Sequence, residues 1–296
     1  MTKIKYKISD EELENLISLY CRDMTAWAAA GRFDTIYGRD KELEQTVMIL
    51  LQKGRKNVVY LAPAGVGKTA LVVALAQAVN DNKVPEYLKN ARVLELDLAS
   101  MAAGTSSIAE FQGRFIPLVK GMAERYHDPD LPQFIIFIDE MHTIMPTCEG
   151  SSYRGLSEVM KPYLTVGDIH VIGATTSDEH RMFVAIDPAM DRRFQKVFLD
   201  VPDEEQTIRI LEAIKGGYEK HHGLELDTDM VKLIVDLTEK HMRKRNQPDK
   251  AITTMDAAMA KHVMDHGRGG KLSKEAVFYV VNAETGVHKG ALDEDQ

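Results

Sequence analysis

Cysteine is scarce in this chain: Cys21 and Cys148 are the only two. That excludes a disulfide framework and suits a reducing compartment. Cys21 reads as part of a helix and Cys148 as part of a polar loop, and nothing near either marks a nucleophile. Long apolar runs are missing too, since none approaches the roughly 20 residues a membrane-spanning helix needs. The start, Met1-Thr2-Lys3-Ile4-Lys5, carries positive charge without a following apolar core, so it lacks the form of a secretory signal. A cytoplasmic protein with no membrane contact is expected. Basic charge is in deficit, at a net −8, which argues against nucleic acid or anionic lipid as a direct ligand. The local run His241-Met242-Arg243-Lys244-Arg245 reads as a solvated helix face or an interface. His221-His222 reads as a solvated turn, with no metal-ligand spacing around it. There is no internal repeat and no low-complexity tract. What remains, 44% hydrophobic and 28% charged residues over 296 positions, suits a globular protein of one large domain or two smaller ones.

Residues 10–31 read as an amphipathic helical region, opened by Ser9 before Asp10-Glu11-Glu12 and stopped at Gly31. Apolar runs then alternate with helical patterns. The expected strands are Val58–Leu61, Val93–Leu98, Phe134–Ile138, His170–Gly173 and Val197–Leu199. Continuous rather than alternating apolarity is the mark of parallel strands covered on both faces, so an α/β fold with a parallel sheet flanked by helices is expected. Beyond Val201-Pro202-Asp203 the pattern is helical, with candidates Glu204–Lys215, Asp229–Lys240 and Pro248–Asp265 forming a smaller all-α domain. The expected organisation is a helical extension over 1–33, an α/β nucleotide-binding domain over 34–200, a helical lid over 201–285 and an acidic tail over 286–296.

The chemistry begins at Leu61-Ala62-Pro63-Ala64-Gly65-Val66-Gly67-Lys68-Thr69, between an apolar strand and an Ala-, Leu- and Val-rich helix. Glycines at 65 and 67 let backbone N–H groups of Ala64–Gly67 wrap phosphate oxygens. Lys68 supplies a charge for the β- and γ-phosphates, and the Thr69 hydroxyl can ligate Mg²⁺. Ala62 stands where the strict motif has glycine, a tolerable change because alanine has little bulk. Phe134–Ile138 then ends in Asp139-Glu140, where Asp139 can hold Mg²⁺ and Glu140 can polarise an attacking water. This strand is expected beside the one that opens the phosphate loop. Thr175-Thr176 ends a third strand. Alone the pair would be a cap or turn, but after the two earlier motifs Thr176 is read as a sensor hydroxyl for the γ-phosphate or the attacking water. Asp191-Arg192-Arg193-Phe194 precedes the last strand and offers arginines that a neighbouring subunit's site can use. His142 reads as a packing residue.

In these ordered motifs the sequence resembles AAA+ ATPases, specifically the first ATPase ring of the Clp-type disaggregases and unfoldases. The likeness runs from Tyr20-Cys21-Arg22-Asp23 and Gly31-Arg32-Phe33-Asp34-Thr35-Ile36-Tyr37-Gly38-Arg39-Asp40 to Gln247-Pro248-Asp249-Lys250-Ala251-Ile252. The resemblance implies ATP and Mg²⁺ as cofactors and an adenine pocket lined by Ile36 and Tyr37. It implies fingers Arg192 and Arg193 acting across a ring, usually of six subunits, and a second sensor at Lys250. The implied function is ATP hydrolysis that remodels, disassembles or unfolds a protein or protein complex, with an adaptor as a further possible partner. A nucleotide-switched assembly factor or loader that does not thread substrate is the alternative.

Departures from that family feed the alternative. Residues 1–33 stand where an amino-terminal substrate domain is usual, Asp265–Lys271 reads as a short flexible link in place of a helical insertion, and no second ring follows Thr285-Gly286-Val287. Met1 and the acidic ending favour a whole chain, an excised ring being the other reading. In the expected threading loop, Ala103–Ala109, Ser107 stands where an aromatic is expected, with Ile108 and Tyr153 as weaker grips.

Overall fold

The computed structural model describes residues 6–128 and 130–287. The expectations for Met1–Lys5 and for Leu292–Gln296 fall outside these residues. The chain divides into two compact units, residues 6–33, 41–62 and 68–198 in one and residues 34–40, 63–67 and 199–287 in the other.

The first unit is built on a six-stranded sheet of order β1-β3-β4-β5-β2-β6. Its strands are β1 Cys21–Asp23, β2 Asn57–Leu61, β3 Arg92–Leu96, β4 Phe134–Ile138, β5 His170–Thr175 and β6 Phe194–Phe198. Every residue of β2, β4 and β5 is buried, as the continuous apolar runs require of strands covered on both faces. The pairs among β2 to β6 are parallel, but β1 runs antiparallel to β3, so the sheet is mixed rather than wholly parallel.

β1 corrects the expectation of one helical region over 10–31. The helix Asp10–Tyr20 ends, Cys21–Asp23 pairs with Leu94–Leu96, and a helix resumes at Met24–Ala29 under an Asp23 cap. Three residues are too few for an alternation signal; across the pair the directly opposed Arg22 and Glu95 make a long-range ion pair at 3.0 Å. Residues 6–33 therefore belong to the α/β unit instead of forming a separate extension. Burial pushes the Cys21 thiol up to about 12, which leaves it unreactive. β3 stops at Leu96, earlier than expected, because Asp97 accepts the Ser100 N–H and caps the turn Leu98–Ala102.

At the start of β5, His170 is fully buried, with neither ring nitrogen hydrogen-bonded and the edges of Tyr87 and Tyr126 beside it. Desolvation, helped by the Lys56 charge, pulls its pKa from 6.5 to about 3. The unfolded chain therefore takes up this proton first as pH falls. The group leaves stability unchanged above pH ~6.5 and lowers it toward pH ~3, by up to about 1.4 kcal/mol per pH unit. His170→Leu is expected to remove about 2 kcal/mol of the stability lost between pH 7 and pH 5, read from urea unfolding at the two pH values. An unchanged pH dependence would refute the assignment.

The second unit packs four helices, Glu204–His222, Thr228–His241, Asp249–His266 and Lys274–Thr285, around an apolar core that includes Leu211, Val231, Ile234, Met255 and Val281. The first helix was expected to end at Lys215. It runs through Gly216-Gly217 to a left-handed stop at Gly223, and His222 is buried against Asp256 at 2.7 Å instead of lying in a solvated turn. The fourth helix has no counterpart in the sequence reading, because its β-branched and aromatic run Val277–Val281 looks as much like a buried strand as a helix. The link Asp265–Lys271 is pinned, not loose, since Glu225 N–H donates to the Gly270 carbonyl at 2.9 Å.

Candidate functional site

In the α/β unit, Lys68 and Thr69 open the Lys68–Asn80 helix after β2. Lys68 Nζ donates to the Ala62 carbonyl at 3.0 Å. That contact uses the backbone, and Ala62 does not lie in the left-handed region, so glycine is not required there. Burial pulls the Lys68 ammonium down, against the opposing fields of Asp139, Glu179 and Glu140.

Thr69 Oγ1 donates to Asp139 Oδ2 at 3.3 Å, so the two residues expected to hold a cation are brought together. β4 does not neighbour β2, however, as the sequence reading expected; β5 lies between them. The intervening strand delivers Thr175 and Thr176 to the edge where Lys68 and Asp139 lie. A hydroxyl and a carboxylate are hard oxygen donors that fit Mg²⁺, which is held by one or two protein groups together with substrate phosphates. Among the described residues there is no cluster of three or more His, Cys, Asp or Glu side chains placed to hold a metal ion.

Glu140 is exposed and left-handed, at φ 47° and ψ 47°, a conformation costing a non-glycine residue about 1–2 kcal/mol. Its N–H donates to Asp139 Oδ1 at 2.9 Å, in the turn that follows β4. Met141 behind it fills the space over Gly173, where an added Cβ would lie 2.2 Å from the Met141 Sδ. Glycine at 173 is thus a packing requirement of the acidic turn.

Thr176 is the cap of the turn Ser177–Glu179. Its Oγ1 accepts the Glu179 N–H at 3.2 Å, and Glu179 Oε2 accepts the Thr176 N–H at 2.9 Å. The cap and sensor readings therefore meet in one residue. Thr175 is buried in β5 and donates to Glu179 Oε2 at 2.9 Å, while His142 Nδ1 lies 3.0 Å from Thr175 Oγ1.

The two arginines differ. Arg193 is anchored: Nε donates to Thr165 Oγ1 at 3.1 Å, and Nη1 donates to the Ala189 carbonyl. Arg192 is exposed, with no side-chain partner among the described residues. In the expected threading loop, Ser107 caps the Ile108–Arg125 helix by accepting the Glu110 N–H at 3.2 Å, and Ser106 N–H donates to Glu110 at 2.8 Å. Ile108 is exposed, but Tyr153 is half-buried against Phe111, at 5.9 Å between ring centroids.

In the helical unit, the loop residues Pro63–Gly67 are held by side chains that the sequence reading did not single out. Arg39 Nη2 donates to the Val66 carbonyl at 2.8 Å, and Asn246 Nδ2 donates to the Ala64 carbonyl at 3.0 Å. Gly65 is left-handed and close to Asp249, whose Cβ would lie 2.9 Å from an added Cβ. With the carbonyls engaged, no N–H of Ala64, Gly65, Val66 or Gly67 is spent on an internal hydrogen bond among the described residues. These donors are left available to an anion. Ile36 is half-buried and Tyr37 exposed, so both present apolar surface. Lys250 is buried, and its Nζ pairs with Glu239 at 2.7 Å.

A phosphate loop after a central parallel strand, with strand-end acids and a helical bundle, defines a P-loop nucleoside-triphosphate-binding protein. The chain belongs to the ATPase family associated with various cellular activities (AAA), whose model matches residues 58–200, and the AAA lid domain model matches residues 203–281. It is 37% identical over 255 residues to the chaperone protein ClpB of Vibrio cholerae, covering 85% of this chain and 29% of that protein. ClpB 1 of Synechocystis is 36% identical over 259 residues, covering 87% of this chain and 28% of that protein. The chain thus spans less than a third of the length of these relatives. Among solved structures, the S. cerevisiae Hsp104:casein complex superposes with a TM-score of 0.81 at 30% identity, over 92% of this chain and 46% of that one. The S. cerevisiae Hsp104-ADP complex gives 0.80 at 30% identity, over 92% and 45%.

Proposed function

We propose that the chain is a subunit of an ATP-hydrolysing ring that remodels, disassembles or unfolds proteins. It would convert ATP and water to ADP and phosphate at sites each completed by a neighbouring subunit. The approach of Thr69 to Asp139, with Glu140 exposed in the next position, carries this reading. Backbone N–H groups of Ala64–Gly67 and Lys68 bind the phosphates, and Ile36 and Tyr37 cover the adenine. Thr69 and Asp139 hold Mg²⁺, which when bound neutralises charge on the β- and γ-phosphates. Glu140 takes the proton of the attacking water, Thr176 addresses the γ-phosphate, and Arg192 and Arg193 act on the neighbour's nucleotide. Lys250, as second sensor, would have to exchange its Glu239 pairing for the nucleotide. A ring of six, a cytoplasmic location and recruitment through an adaptor complete the proposal. No described helix is long and apolar enough to cross a membrane.

The ClpB relatives and the casein-bound Hsp104 neighbour support a protein substrate. The capped Ser107 favours the second reading, a nucleotide-switched assembly factor that does not thread, because it offers substrate no aromatic ring. Fluorescein-labelled casein decides between them. In the Glu140→Gln chain with ATP, its anisotropy is expected to rise, and to fall back in ADP or after Ile108→Ser. An absence of ATP-dependent polypeptide binding would sink the remodelling reading and leave the assembly factor.

A further inference from the structure

Two turns of the α/β unit carry the expected hydrolytic groups, Glu140 after β4 and Thr176 after β5. They are tied together by three side chains that have no role in the site so far. Glu179 Oε2 accepts the Thr176 N–H at 2.9 Å and the Thr175 hydroxyl at 2.9 Å. A hydroxyl has one proton to give, so Thr175 can only accept from His142. This assigns the Nδ1–H tautomer to His142, donating across 3.0 Å to Thr175 Oγ1, with Glu179 Oε2 a further 3.3 Å contact. The imidazole is held in plane by stacking on Phe183, at 5.8 Å and 28°. Burial disfavours the charge on Glu179, but the hydrogen bonds from Thr176 and Thr175 outweigh it and hold the carboxyl below its usual range. The carboxylate is thus a held acceptor although its side chain stays 37% exposed, and it lies within the electrostatic reach of Lys68.

We propose that Glu179 is a positioning residue for hydrolysis: through Thr175 and His142 it locks the turn bearing Thr176 to the turn bearing Glu140. The inference rests on the ATPase reading. His142 lies two residues beyond Glu140 and Glu179 three beyond Thr176, so neither turn can shift without stretching the Glu179–Thr175–His142 chain. Met141, in the gap over Gly173, packs the turn bearing Glu140 against β5, the strand that leads into the turn bearing Thr176.

The test uses the full chain at ring-forming concentration, with kcat and KM for ATP measured for Glu179→Ala, Glu179→Gln and His142→Phe. Glu179→Ala is expected to lower kcat by ~10–100-fold with KM not raised, as for catalytic groups displaced by a fraction of an ångström to an ångström. Glu179→Gln keeps an oxygen with two lone pairs for both threonine donors and is expected to restore kcat to within about threefold of wild type. Combining Glu179→Ala with His142→Phe is expected to cost less than the product of the single losses, because both act through Thr175. Unchanged kcat in Glu179→Ala, a Gln variant as poor as the Ala variant, or fully multiplicative losses would each overturn the positioning role. A wild-type chain with no more turnover than Glu140→Gln would instead overturn the ATPase reading itself.

Discussion

Glu140→Gln is expected to lower ATP turnover by ~10²–10⁴-fold while ATP binding survives, the range lost when a general base is removed. The substitution keeps the size and the backbone of the side chain and deletes only its capacity to take a proton. The phosphate-binding parts, Lys68 and the N–H groups of Ala64–Gly67, are untouched by it. The left-handed Glu140 backbone sharpens the expectation, because a conformation costing about 1–2 kcal/mol is held in place by the turn Met141–Ile144 that it caps. Lys68→Ala is the contrasting variant, expected to lose nucleotide affinity as well as turnover. Phosphate release and equilibrium binding of a fluorescent ATP analogue separate the two. If Glu140→Gln retained more than roughly a tenth of wild-type turnover, Glu140 would not be the base.

The parts of the site that were legible in the sequence are those whose chemistry is local. The glycine loop, Lys68-Thr69 and Asp139-Glu140 each sit at the end of a buried apolar run, and such runs are visible as composition. Sheet order is not local, so β5 between β2 and β4 could not be read from any one segment. β1 escaped for a related reason: a three-residue strand has no period, and its partner lies on β3. Ser107 was readable in part. Ser107 followed three residues later by Glu110 is the spacing of a capping box, and the structure shows the cap, with Glu110 reaching back to Ser106. Lys250 was singled out only as a second sensor, whereas its pairing with Glu239 joins two different helices and leaves no local trace. The His142–Thr175–Glu179 chain is of the same kind, since its members come from two turns.

Arg192→Ala is expected to lower turnover by ~10³–10⁵-fold if the guanidinium acts on a neighbour's nucleotide, with little effect on the unfolding midpoint. The stability expectation follows from its exposed side chain, which has no partner among the described residues. Arg193→Ala should behave differently. It removes hydrogen bonds to Thr165 and Ala189 next to the start of β6, so lost activity is expected to come with lost stability, about 1–3 kcal/mol for an anchored charged donor. The decisive measurement mixes two inactive variants. A site shared between subunits takes its base from one copy and its arginine from the next. In rings formed from equal parts of Glu140→Gln and Arg192→Ala, roughly a quarter of the sites therefore pair an intact Glu140 with an intact Arg192. Turnover is expected to reappear on mixing, to rise with concentration as rings form, and to disappear on dilution. If both variants are inactive and remain so at every mixing ratio, Arg192 acts within its own subunit or not at all. The phosphate loop, the acids and the sensor threonine would then constitute a site that no neighbour completes.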